Sequence, residues 1–279
     1  AARQLFARVL DAPGGLNIQT IHSFCESLLA RFPLESGVTP QTQVMDERRA
    51  AELMRTARDA VLVAAQGIPV LAEALGEVTS HIQEEQFTLL MGAIARDRGR
   101  FSELLSRADG LAGAEKMVFA KIGVSSDLTA EDVIGGACLD AELDLDGLRK
   151  VAAALLNGTG KTDKTSGQSL ADWLAASKSQ RIITFDNYLD VYLRKADRLP
   201  RSRLVTKSVL NAMPNADDIL RAEAARLLQC CETIRDIVTA RSTAALLRLG
   251  AAMLHEYNAT KSSEMRLDYD DLIYRTRDL

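Results

Sequence analysis

From Ala216 to about Asn258 the chain runs without a proline, while Ile219, Leu220, Leu227, Leu228, Ile237, Leu249 and Leu254 return at helical spacing. Proline has no backbone N–H and clashes with the preceding turn, so a striped stretch this long without one predicts a single very long helix. Composition extends the reading to the whole chain. Gly 17 and Pro 6 make 23 of 279 residues, about 8%, against about 12% in ordinary proteins. Few breakers and few aromatics (5%) predict an all-α (mainly α) fold, in which only residues 17–21, Asn17-Ile18-Gln19-Thr20-Ile21, alternate as a short strand does. A hydrophobic content of 47% beside 26% charged residues suffices for a core and is too apolar for disorder.

Lys+Arg 34 against Asp+Glu 38 leaves a net charge of -4, which excludes a histone-like coat for polyanions but allows local basic patches. The opening AARQLFARVL is amphipathic and lacks the apolar core of a signal peptide, and no unbroken apolar run approaches the roughly 18 residues of a membrane span. The expectation is a soluble, cytoplasmic protein with no membrane partner. Cys25, Cys138, Cys230 and Cys231 have no metal-type spacing, so neither a disulfide framework nor a metal site is expected. The first residue is Ala, with Leu5, Phe6, Val9 and Leu10 already helical in pattern, and the last helix looks cut short; the sequence reads as a piece of a longer protein.

Along the chain, Ser23-x-x-Glu26 matches a capping box for a helix starting behind His22 and ending at Pro33. Residues 33–45 read as an extended linker, and Asp46 as the cap of an amphipathic helix to about Ala65. Shorter helical stretches fill 69–156. The Gly/Ser/Thr-rich run 157–169 and the segment 194–214 read as loops, and Asp268 as the cap of the last helix.

Four segments invite chemistry. Gly158-Thr159-Gly160-Lys161-Thr162 imitates a phosphate loop, but Leu155 stands where that loop needs glycine and a helix, not a buried strand, precedes it. Thr20, His22 and Ser23 sit where a strand hands over to a helix N-terminus, whose free N–H groups and positive dipole end favour a phosphodiester; a cap with a packed histidine is the plainer alternative. Asp268, Asp270 and Asp271 surround a helix start, where capping explains Asp268 and Asp270 and Mg²⁺ binding by paired acids is the other option. Arg194, Lys195, Arg198, Arg201, Arg203 and Lys207 against Asp197 carry +5, and beside Tyr188 and Tyr192 they suit a nucleic-acid backbone as well as a solvated face.

Three segments in this order resemble the UvrD-like superfamily 1 DNA helicases, and among them the AddA-type subunits of helicase-nucleases. Leu16 to Glu47 is similar to the family's T-x-H motif with its proline-rich exit. Phe185 to Leu210 is similar to an element between helices, and His255 to Leu279 to a Y-x3-K segment followed by D-[FY]-x-D-L, here Tyr257, Lys261 and Asp268 to Leu272. The resemblance implies residues 1–32 as a fringe of the RecA-like domain 1A, 33–258 as the helical insertion called subdomain 1B, and 259–279 as the return into 1A. It implies that Thr20, His22 and Ser23 contact single-stranded DNA, that Phe24 packs in the core, and that the basic cluster approaches duplex near a junction. Tyr257, Lys261 and Asp268 would then join the two subdomains. The parent would use ATP and Mg²⁺, pair with an AddB-type subunit and act in double-strand break repair and recombination. This sequence holds neither Walker motif, so the resemblance implies a passive DNA-contacting module with no catalytic residue, cofactor or metal of its own. A helical protein-interaction scaffold that does not bind DNA is the alternative.

Overall fold

In the computed structural model the described residues are 18–39 and 41–279; the expected leading helix and Leu16–Asn17 lie outside them. Helices dominate, as low breaker content requires, and the expected long helix runs Ala216–Ser263, one turn past Asn258. None of its striped apolar residues is exposed. By length and composition one window of this helix is apolar enough to cross a bilayer, although charged residues interrupt its apolar runs. The buried stripe of Leu220, Leu227, Ile237 and Leu249 explains that apolarity as core packing.

The chain divides into two compact units, one holding residues up to Ala114 with Ala245–Leu279, the other Glu115–Ala244. In the first, the Glu47–Ala64 helix is capped by Asp46, which accepts from the Arg49 N–H at 2.7 Å. Its Leu53, Ala57 and Val61 enter a core with Val78, Phe87, Met91, Leu249, Met253 and Tyr257. A smaller cluster of Cys25, Leu29, Leu267 and Leu272 locks the Ile21–Arg31 helix against Tyr269–Asp278.

The strand is not where alternation put it. Residues 18–20 are extended but belong to no ladder among the described residues, whereas β1 (Gln43–Val44) and β2 (Arg266–Leu267) pair in parallel. The Gln43 N–H donates to Met265 O at 3.0 Å and the Met45 N–H to Leu267 O at 2.7 Å. Alternation supplies a face, but a strand also needs a neighbour's backbone groups, and here two segments remote in sequence provide each other's. The presumed linker 33–45 also holds a short helix, Pro33–Ser36, begun by proline at its first position and closed by Gly37 at φ 62°.

In the second unit the Leu145–Leu156 and Lys161–Ala175 helices pack so closely that a Cβ on Gly167 would lie 2.8 Å from the Leu155 Cβ. The stretch 157–169, expected to be a loop, is therefore a turn followed by helix. Leu170, Trp173 and Leu174 supply an apolar face further along, and burying it outweighs the weak helix preference of the Ser/Thr/Gly residues. Trp173 stacks on Tyr188 with ring centroids 3.6 Å apart, and Tyr188 meets Tyr192 edge-on at 5.1 Å. Such pairs add about 0.5–1.5 kcal/mol each beyond their buried area. The second expected loop, 194–214, contains the helix Lys207–Ala212 and a bridge between Leu193 and Pro200.

Candidate functional site

Thr20, not Ser23, caps the first described helix. Its backbone is extended (φ -71°, ψ 160°), and its Oγ1 accepts from the Ser23 N–H at 3.2 Å and lies 3.0 Å from the Ser23 hydroxyl. The helix thus begins at Ile21, with His22 inside its first turn. Thr20 and Ser23 are exposed and His22 is half-buried, its ring centroid 4.8 Å from that of Tyr269. Phe24, expected in the core, is 47% exposed: the buried face of this helix runs through Cys25 and Leu29, which leaves Phe24 on the open side with Ile21 at 63%. The T-x-H segment and the D-[FY]-x-D-L segment, at opposite ends of the sequence, are neighbours in space.

Behind this contact lies a buried ionic hub. Asp268 Oδ1 accepts from Arg98 at 2.5 Å, and its Oδ2 accepts from the Tyr257 hydroxyl at 2.6 Å and from Lys261 Nζ at 3.0 Å. The same residue caps Tyr269–Asp278 in a reciprocal capping box with Asp271, which also accepts from Lys261 at 2.6 Å. Burial alone would push the Asp268 carboxyl up, yet Lys261 and Arg98, with the Tyr257 hydroxyl, hold it below the usual range. Burial and the bond to Asp268 push the Tyr257 phenol up. Asp270 pairs with Arg98 at 2.8 Å, so all three carboxylates of this segment have cationic partners; Asp268 caps as expected, whereas the capping box is completed by Asp271 and not by Asp270. Among the described residues no group of three His, Cys, Asp or Glu side chains gathers as a metal site.

The six cations at 194–207 all belong to the second unit, and folding takes away much of their charge. Arg194 pairs with Asp197 at 2.6 Å, Lys195 with Asp190 at 3.0 Å, and Arg198 with both Asp186 and Asp190 at 2.6 and 3.0 Å. Arg201 donates to the Asp190 and Leu193 carbonyls, and Arg203 to the Val205 carbonyl. Six cations against Asp186, Asp190 and Asp197 leave +3 rather than +5. Lys207 is exposed, and among the described residues neither it nor Arg203 meets a carboxylate. Tyr188 and Tyr192 are 1% and 0% exposed, so they cannot stack on bases. They belong to a buried relay: Tyr192 donates to Tyr188 at 3.1 Å, Tyr188 to Glu223 at 2.8 Å, and Arg226 closes on Glu223 at 2.6 Å. Burial, together with the Glu223 charge, raises both phenols.

The turn at Gly158–Gly160 does not fit a nucleotide phosphate. Asp163, buried at 3% exposure, accepts from the Thr206 hydroxyl at 2.5 Å, and its carboxylate lies 3.2 Å from where a Gly158 Cβ would stand and 2.9 Å from one on Gly160. An anion facing both glycines repels a phosphate instead of cradling it.

Sequence reasoning missed Arg98, Asp186, Asp190 and the Glu223–Arg226 pair. Asp186 and Asp190 carried a readable signal, since carboxylates four apart on a helix share a face and theirs leads directly into the cluster. Arg98 carried none: 170 residues separate it from Asp268. No protein-family model matches the chain, and no curated protein matches it.

Proposed function

We propose that this chain is the DNA-contacting helical part of a UvrD-like superfamily 1 helicase of the AddA helicase-nuclease type, a cytoplasmic module serving double-strand break repair and recombination. The observation that carries the reading is the packing of His22 against Tyr269, 4.8 Å apart. Segments that would bound an insertion into one motor domain must return to the same place, and these two do. In this reading Thr20 and Ser23 offer hydroxyls, and His22 an imidazole, to the backbone of single-stranded DNA at a helix start. The Arg98–Tyr257–Lys261–Asp268 hub holds that helix pair in position and takes no part in chemistry. The Gly158–Gly160 turn does not suit ATP, and this reading assigns hydrolysis, Mg²⁺ and the AddB-type partner to the parent protein.

The ion-paired state of the cluster at 194–207 favours a second reading, a helical protein-interaction scaffold that does not bind DNA. Fluorescence anisotropy with labelled single-stranded, duplex and forked DNA at several salt concentrations separates the two. The DNA reading expects weak, sequence-independent binding that falls with salt. Because Arg194, Lys195 and Arg198 are already paired, Arg203→Ala with Lys207→Ala should flatten the log–log salt slope by about 1.4 to 1.8, at about 0.7–0.9 per lost phosphate contact. Thr20→Ala with His22→Ala should weaken single strands more than duplex. Absence of binding at low salt would leave the scaffold.

A further inference from the structure

Within the first unit a groove of about 380 Å³ opens between the Glu47–Ala64 and Glu84–Arg96 helices. Met54, Met91 and Met253 line it, three of the seven methionines in the chain, with the last two on its floor at 2% and 1% exposure. Methionine is flexible and polarizable, so a methionine-lined groove adapts to apolar side chains of varied shape. Gly92 lies on the groove in mid-helix, exposed, and a Cβ placed there would meet nothing within 4 Å. A helix-interior glycine is less stable than alanine, and among the described residues of this unit nothing requires the missing side chain; a glycine here leaves room for another backbone to come close.

The rim is basic. No carboxylate lines the groove, while Arg55, Arg58, Arg96 and Arg98 do. Arg58 is engaged by Asp59 at 2.7 Å, and Arg98 by Asp268 and Asp270. Among the described residues Arg55 meets only the Ala51 carbonyl of its own helix, at 3.4 Å, and Arg96 meets no carboxylate. Each wall therefore presents one exposed arginine that pairs with no carboxylate among the described residues.

We infer that this groove docks an acidic amphipathic helix of a partner protein, its apolar side chains seated on the three methionines, its backbone passing Gly92, and its carboxylates meeting Arg55 and Arg96. Charge complementarity selects the occupant: a basic or neutral helix would leave both arginines facing like charge or apolar surface, and a nucleic-acid backbone would lay phosphates over an apolar floor. The inference is independent of the DNA reading above.

The test uses the full chain and two fluorescein-labelled peptides of about 16 residues, long enough for a marginal helix. Both carry leucine at i, i+3, i+4 and i+7; one has glutamate at the flanking positions, its twin lysine. The acidic peptide should saturate in the micromolar range and its twin bind at least about tenfold more weakly. A Cβ on Gly92 meets nothing within 4 Å, so Gly92→Leu enters the groove from its open side and should lower affinity by about tenfold or more while leaving the thermal midpoint unchanged or raised. Arg55→Glu with Arg96→Glu should reverse the preference between the peptides. Failure of the acidic peptide to saturate, equal affinity of the twins, or indifference to Gly92→Leu overturns the inference. So does single-stranded DNA that displaces the peptide, depends on the two arginines and ignores Gly92→Leu, because the arginines would then serve phosphates.

Discussion

Replacing Asp268 by Asn removes one charge and leaves the shape and the cap in place. In the folded protein Asp268 and Lys261 are each about 5% exposed at the side chain, so neither is shielded by water. Breaking a buried pair by removing one partner costs about 3–5 kcal/mol, because the other charge stays buried. Here Lys261 keeps Asp271 and Arg98 keeps Asp270, which places the loss at the lower end, about 3 kcal/mol at neutral pH. Asp268→Ala also forfeits the bond to the Asp271 N–H and should lose about 1 kcal/mol more. The pH dependence has a definite sign. The Asp268 pKa is depressed on folding, so its contribution is complete above the unfolded carboxylate pKa near about 3.9 and declines as pH falls through the folded value. Urea unfolding followed by circular dichroism from neutral to acid pH should therefore show a constant gap between wild type and Asp268→Asn down to about pH 5, narrowing below about 4. A gap under about 1 kcal/mol, or one that does not narrow in acid, would refute the reasoning.

In the second unit, Glu223→Gln keeps an oxygen that accepts from the Tyr188 hydroxyl but removes the charge that pairs with Arg226, and should cost about 3 kcal/mol; Trp173, the only tryptophan and stacked on Tyr188, reports that unit by its fluorescence. Gly167→Ala should destabilise by about 1–3 kcal/mol, because the new Cβ would stand 2.8 Å from the Leu155 Cβ and 2.9 Å from the Leu156 N, and the same urea titration reads it. Isothermal titration with MgATP should show no saturable binding, and Lys161→Ala should change nothing; micromolar binding abolished by that substitution would restore a phosphate loop at Gly158–Gly160.

The features that the sequence determined unaided are those whose physics is local. An unbroken apolar stripe without proline makes the Ala216–Ser263 helix wherever it packs, because helical hydrogen bonds close within four residues. Asp46 and Asp268 cap because their side chains reach amides three residues on. What the tertiary structure decided involves partners too distant for any window. Residues 43–44 are strand because 266–267 lie beside them, while the better alternating pattern at 18–20 has no such neighbour among the described residues. Lys161–Ala175 is helix because Leu155 receives Gly167 and a core receives Trp173. Charge follows the same rule: the basic cluster read as +5 along the chain is ion-paired by Asp186 and Asp190 one helix earlier, and Lys261 is neutralised inside the fold by carboxylates that the backbone carries back to it. Net charge in a segment is a property of the sequence; the charge left free to meet a ligand depends on which side chains folding brings within about 4 Å.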